Sequence, residues 1–282
     1  MSNFSFPGFS MMKNPSLFSR AISPLVASYP IKRGRTRLRG AASPYLVGKL
    51  PFGAWARVSG VVDAEWDFLK GGGREDNTTA VLRSMLHPGA VFVDVGANVG
   101  YFTLLAAKLG ADVIAYEPTP SVFKRLAENV ALNSLDARLV NAAAMDRAGT
   151  FPLYLSDEDP EANSLFGSGG SISVSAVRLD EDLLSRGISR VDVLKIDAEG
   201  AEPLVLDGAR NLLVSQSPAI ILEVNAFALE VAGYTPSDVY SRLEAHGYSV
   251  RVIEWMPYQG RSCQNILAVK KATESGLGTP TN

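Results

Sequence analysis

Histidine, cysteine and long apolar runs are scarce in this chain of 282 residues, and each scarcity removes a class of chemistry. The single cysteine, Cys263, excludes an intramolecular disulfide framework and a cysteine zinc site, and suits a reducing compartment. The two histidines, His87 and His246, fall in an expected turn and at an expected helix end. Neither is near a strand end, so a histidine base is not expected. No run of about 18 apolar residues occurs, so no transmembrane segment is expected. No uninterrupted apolar stretch follows a basic start, so a secretory signal is not expected either, and the cytoplasm is the default location. The acid-free start has serine and arginine like an organelle transit peptide, but its repeated prolines and glycines oppose the required amphipathic helix.

Acidic residues are missing from the start altogether. Residues 1–62 hold nine basic side chains (Lys13, Arg20, Lys32, Arg33, Arg35, Arg37, Arg39, Lys49, Arg57) and none of opposite sign. The rest of the chain carries 18 basic and 29 acidic residues, although the whole has a net charge of only −2. Such a basic lead-in can pair with its own acidic body, which is the plainer expectation. It can also make peripheral contact with an anionic membrane or meet an acidic substrate. The near-neutral total gives no sign of a nucleic-acid partner.

What is present is ordinary for a globular protein: 46% hydrophobic and 20% charged residues, in a length that suits one α/β domain with extensions. A helix is expected from Asn77, capped by Asn77, Thr78 or Thr79, with Val81, Leu82, Met85 and Leu86 on one face. Strands are expected at 91–95, 112–116, 137–141, 191–196 and 219–225. Helices are expected between them at about 101–109, 121–132 and 202–214. Short strands at 151–155 and 172–178 flank a loop rich in turn formers. A helix at about 236–246 and two closing strands, 248–255 and 265–270, complete the pattern. Alternating strands and helices imply a parallel, doubly wound sheet, and the short last connection implies an antiparallel hairpin at one edge.

The stretch VFVDVGANVGYF, residues 91–102, runs from a strand through a glycine turn into a helix. Ligands of open α/β sheets bind beyond the carboxyl ends of the strands. Gly96 and Gly100 lack the Cβ atoms that would block a ligand approaching the backbone. Glu117, in AYEP, lies 23 residues after Asp94 at the next strand end, where a carboxylate can accept both hydroxyls of a ribose. Asn98 stands where a dinucleotide fingerprint has its second glycine, and Asp94 would oppose a pyrophosphate. S-adenosylmethionine, with an ammonium, a sulfonium and a ribose, fits this turn better than NAD. The glycines can alternatively serve tight strand-to-helix packing alone.

A second group of acids, in DVLKIDAEGAE at 192–202, ends another strand with Asp197, Glu199 and Glu202; the following strand ends in Glu223 and Asn225. Three roles are open. A carboxylate can take the proton of an attacking hydroxyl or contact the substrate. Asp197, Glu199, Glu223 and Asn225 can ligate a hard cation such as Mg²⁺, which is not favoured. Glu199 and Glu202 can simply be a solvated helix start.

With VFVDVGANVGYFTLLAA, AYEPTPSVFKRLAENVALN and VDVLKIDAEGAEPLVLDGA together, the chain resembles the FkbM family of S-adenosylmethionine-dependent methyltransferases over about residues 75–270. The resemblance implies the class I methyltransferase fold: α/β, Rossmann-like, a seven-stranded mostly parallel sheet with an antiparallel last strand and helices on both faces. It implies O-methylation of a hydroxyl on a sugar, glycan or natural product, with a carboxylate acceptor or a non-catalytic scaffold as alternatives. By matching positions, it assigns Asp94, Gly96, Asn98, Gly100 and Tyr101 to the cofactor turn and Glu117 with Pro118 to the ribose. Asn141 and Ala142 match the adenine contacts, Glu75 and Thr79 a closure over the methionine end, and Asp197 with Glu199 the catalytic second motif. Asn163-Ser164 matches a polar contact in relatives. The expected organisation is a basic extension (1–74), a methyltransferase domain (75–271) and a disordered tail (272–282), with no dedicated metal site.

Overall fold

The computed structural model describes residues 47–57, 75–156, 163–258 and 260–271. Most of the basic arm and the expected tail lie outside these residues. Seven strands form the central sheet: β3 (Val91–Val95), β4 (Asp112–Tyr116), β5 (Arg138–Val140), β9 (Val193–Ile196), β10 (Ala219–Asn225), β11 (Tyr248–Tyr258) and β12 (Arg261–Lys270). Their order is β11-β12-β10-β9-β3-β4-β5, with β12 antiparallel to both neighbours and the other pairings parallel. This is the class I methyltransferase arrangement the sequence implied. The chain leaves β3 toward β4 on one side and returns to β9 on the other, so the strand order reverses at β3 and a crevice opens there.

Alternation along β3 and β9 divides the interior. Phe92 and Val193 belong to one core with Leu104 and Leu105, whereas Val93, Val95, Leu194 and Ile196 belong to the other with Leu206 and Leu213. Helices α1 (Asp76–Met85), α2 (Tyr101–Lys108) and α3 (Pro120–Leu132) cover the first face. Helices α4 (Leu179–Ser185), α5 (Glu202–Gly208), α6 (Arg210–Ser215) and α8 (Pro236–Ala245) cover the second. No helix among the described residues is long and apolar enough to cross a membrane.

The structure departs from the sequence reading in five places. The expected helix at 202–214 is broken at Ala209, next to Gly208, which packs so close to Met145 that a Cβ there would sit 1.9 Å from its carbonyl oxygen. The break exposes the amides of Asn211 and Leu212, which donate to Asp180. Helix α1 takes no cap from Asn77, Thr78 or Thr79. It starts after Glu75, and the carboxylate of Glu254, reaching over from β11, accepts from the amides of Asn77 and Thr78. Strands β7 (Gly149–Tyr154) and β8 (Ser171–Arg178) form a separate sheet with β6 (Ala143–Met145), which was too short to recognise. Helix α4 and α7 (Ala226–Val231), at seven and six residues, carry too little periodicity to be seen. Finally, β1 (Val47–Lys49) and β2 (Trp55–Arg57) lie inside the expected extension yet bury Leu50, Ala54 and Ala56 in the first core. The side chain of Asn133 holds them by accepting from Trp55 N and donating to Trp55 O, both at 2.7 Å, as a strand partner would.

Candidate active site

A cavity of about 250 Å³ opens at the carboxyl ends of β3, β4, β9 and β10. Its first wall is the glycine turn. After β3 the amides of Gly96 and Ala97 both donate to Tyr116 O, and Gly100 closes the turn by donating to Ala97 O. Asn98 sits in the left-handed region at φ 52° and accepts from its neighbour Val99 through Oδ1. The glycines serve packing here. A Cβ on Gly96 would lie 1.7 Å from the carbonyl oxygen of Asp197, and one on Gly100 would lie 2.5 Å from Leu126. The turn's conformation therefore brings the two acidic motifs into backbone contact.

Glu117 forms the next wall. It accepts from the amides of Asn98 at 3.1 Å and Thr119 at 2.8 Å. Burial pushes its carboxyl up to about 7, against these hydrogen bonds. Asn141, itself exposed, donates to the carbonyls of Glu117 and Pro118 and so fixes their orientation. Pro118, Val122, Ala142 and Leu153 supply an apolar slot beside Glu117.

The other wall carries Asp197, Glu199 and Glu223, whose carboxylate oxygens lie within 4.8 Å of one another. Glu199 takes φ 48° in the turn after β9. That turn is folded by Glu202, which accepts from the amides of Ala198 and Gly200 and is 1% exposed, so Glu202 is no solvated helix start. Burial pushes Glu202 up to about 7. Glu223 is raised well above the ordinary carboxyl value by burial, and then by the charges of Asp197 and Glu199. Asn225 also lines the cavity, but its Oδ1 caps α7 by accepting from Phe227 and Ala228. Of the four oxygen ligands considered from sequence, three thus converge.

Among the residues expected from sequence, Glu75, Gly96, Asn98, Tyr101, Glu117, Pro118, Ala142, Asp197 and Glu199 line one cavity. Asp94, Thr79, Gly100 and Asn141 do not line it, and Asn141 is exposed. Asp94 is fully buried, and its Oδ2 accepts from Thr103 Oγ1 at 2.6 Å. Glu75 accepts from Asn265 Nδ2 at 2.7 Å, and Thr79 Oγ1 lies 3.4 Å from the Tyr101 hydroxyl. Asn163 lies on the cavity wall, while Ser164 donates to Glu199 O at 2.6 Å.

Sequence reasoning missed Lys195. It is 4% exposed, and its Nζ lies 3.2 Å from Asp197 Oδ2 and 3.9 Å from Asp94 Oδ1, with the Phe102 ring centroid at 5.1 Å. The available signal was a lysine inside VLKI, a strand otherwise wholly apolar. Met256 and Cys263, from the final hairpin, were also missed; their share in the wall follows only from register, which sets Cys263 opposite Asn225 at the end of β10 and Met256 opposite Cys263. Burial, then the adjacent Glu223, pushes the Cys263 thiol up, so it is no nucleophile.

A model of the methyltransferase FkbM domain matches residues 94–250. The chain is 28% identical over 221 residues to the 31-O-demethyl-FK506 methyltransferase FkbM of Streptomyces tacrolimicus, covering 66% of this chain and 83% of that one. It is 28% identical over 205 residues to the methyltransferase sdnD of Sordaria araneosa, covering 59% and 77%. It is 28% identical over 178 residues to the hexuronic acid methyltransferase AglP of Haloferax volcanii, covering 63% and 71%.

Proposed function

Since this chain belongs to the methyltransferase FkbM domain family, we propose that it moves the methyl group of S-adenosylmethionine to a hydroxyl oxygen of a small molecule or glycan. The single observation that carries this is the meeting of two half-sites in one cavity. A buried acid beside an apolar slot, Glu117, is joined through the Gly96–Asp197 backbone contact to a patch of carboxylates. The first half suits a nucleoside, with Glu117 receiving the ribose hydroxyls and Val122 and Leu153 flanking the purine. The second suits an acceptor that must lose a proton.

The bound donor supplies an already activated methyl on a sulfonium. This chain's residues then have to align the acceptor and remove one proton. With the donor bound, methyl transfer to the acceptor oxygen would break the carbon–sulfur bond and leave its electron pair on sulfur. The acceptor's proton passes to Asp197. Lys195 occupies Oδ2 of that carboxylate, and among the described residues no hydrogen bond reaches Oδ1, so Oδ1 is the oxygen left to take the proton. Glu199 and Glu223, beside Asp197 on the same wall, offer further carboxylate oxygens to the acceptor's hydroxyls. The names of the relatives, one acting on FK506 precursors and one on a hexuronic acid, support oxygen as the acceptor atom and leave the acceptor's skeleton open.

The test is calorimetric titration with S-adenosylhomocysteine, with NAD as control, followed by a screen of hydroxylated acceptors with labelled donor. Micromolar binding of S-adenosylhomocysteine alone is expected, with Asp197→Asn retaining binding and losing most turnover. Binding of NAD alone would defeat the proposal. A second reading, Mg²⁺ among Asp197, Glu199 and Glu223, rests on their 4.8 Å convergence. It requires that EDTA abolish turnover and that Mg²⁺ restore it.

A further inference from the structure

Asp94 opens the glycine motif, yet it does not line the cavity. It and Lys195 are register partners on adjacent parallel strands, and both side chains lie on the face covered by α2. Thr103 satisfies Asp94 Oδ2. Asp94 Oδ1 is shut off from solvent and has no hydrogen-bond partner among the described residues, and the Lys195 ammonium at 3.9 Å is the charge it faces. Two residues along β9, Asp197 takes the same ammonium at 3.2 Å. A carboxylate buried this completely is strongly destabilising unless a cation accompanies it. Lys195 is also the only cationic side chain among the described residues lining the cavity.

We propose that Lys195 is a positioning residue that joins Asp94, beneath the glycine turn, and Asp197, on the cavity wall, into one charge triad. Asp94 then acts on the cofactor through Lys195 and the shape of the turn, not by touching the ligand. The consequence for the cofactor rests on the methyltransferase reading; the triad itself does not. The groups facing Lys195 are Asp94 from β3, Asp197 just past the end of its own strand and Glu75 ahead of α1, with Glu199 and, from β10, Glu223 beyond Asp197. Burial opposes the ammonium's charge, but Asp197, Asp94 and Glu75 together outweigh it and raise its pKa. Burial raises Asp94 as well, against the opposing pull of Lys195 and of the Thr103 hydrogen bond.

A double-mutant cycle with Asp94→Asn, Lys195→Met and both together tests this, read first as unfolding temperature at pH 6 and pH 8.5 without ligand. Lys195→Met strands two carboxylates against each other. It should lower the unfolding temperature, more at pH 8.5 than at pH 6, where protonating one acid relieves the repulsion. The double variant should recover to near Asp94→Asn and lose the added pH dependence. Affinity for S-adenosylhomocysteine should fall about tenfold or more in Lys195→Met, by a few-fold in Asp94→Asn, and recover in the double variant.

An unchanged unfolding temperature for Lys195→Met at both pH values would overturn the triad. So would a double variant no more stable than Lys195→Met; if that single variant does not fold, a folded double variant decides the point in favour. Loss of all S-adenosylhomocysteine binding in Asp94→Asn, with its fold intact, would show that Asp94 touches the ligand. Should the wild-type protein bind no S-adenosylhomocysteine, the cofactor reading fails while the temperature series still decides the triad.

Discussion

At the scale of single residues, the site depends on acids kept from water. The carboxyl of Glu117 sits at about 7 in the folded protein against an ordinary 4.5. The folded state therefore holds a proton, between these values, that the unfolded chain has lost. The stability this proton contributes is complete below pH 4.5 and disappears as pH rises through 7, an effect on the order of 3 kcal/mol. Glu117→Gln should accordingly flatten the decline of stability between pH 5 and 8 in chemical denaturation, leaving a remainder from Glu202, which shifts the same way. It should also weaken S-adenosylhomocysteine binding. Ribose hydroxyls donate to the ionised carboxylate, so binding to the wild type at pH 6 should release a proton, seen as a buffer-dependent calorimetric heat. Gly96→Ala tests the other half of the turn. With φ at 73° and the Asp197 carbonyl 1.7 Å from the new methyl, a loss of about 3 kcal/mol or more is expected in the same denaturation.

At the scale of elements, side chains from distant parts of the chain complete helices and strands that their own residues leave unfinished. Glu254 of β11 caps α1, reaching the Thr78 amide at 3.0 Å and its hydroxyl at 2.7 Å. The last hairpin thus holds the helix whose first residue follows Glu75, on the cavity wall. Glu254→Ala should cost about 1–2 kcal/mol, the usual worth of a cap, and should weaken cofactor binding by several-fold, since Glu75 loses its fixed position. A variant that loses stability but binds S-adenosylhomocysteine as well as the wild type would separate the cap from the site. The Asp180 carboxylate does the same for α6, and Asn133 for β2.

At the scale of the whole molecule, the segment 47–57 belongs to the first core. Leu50 is 2% exposed, and the backbone of Trp55 and Arg57 is held by Asn133 and Asn129. We propose that the methyltransferase domain begins near residue 47. A chain starting at 75 should therefore unfold at a markedly lower temperature than one starting at 47, because Leu50, Ala54 and Ala56 leave the core. Saturating S-adenosylhomocysteine at about 100 times its dissociation constant should stabilise the longer chain by about 2.7 kcal/mol, which a thermal melt reads directly.

The sequence by itself determined the succession of the seven strands of the central sheet and of the longer helices, the reversed last strand and the two acidic motifs. These are local patterns: period-two apolar strands, glycine punctuation, and acids at strand ends. It also determined that Asp197, Glu199 and Glu117 share a cavity, because parallel neighbours deliver their carboxyl ends to one side. Only the tertiary structure decided the rest. It assigned Gly96 to a backbone contact 101 residues away in the chain, placed Asp94 beneath the cavity, and paired it with Lys195. It recruited Glu254 as a cap and drew β1 and β2 into the core. These features depend on which strands become neighbours and how closely backbones approach, and the spacing of residues along the chain does not encode either distance.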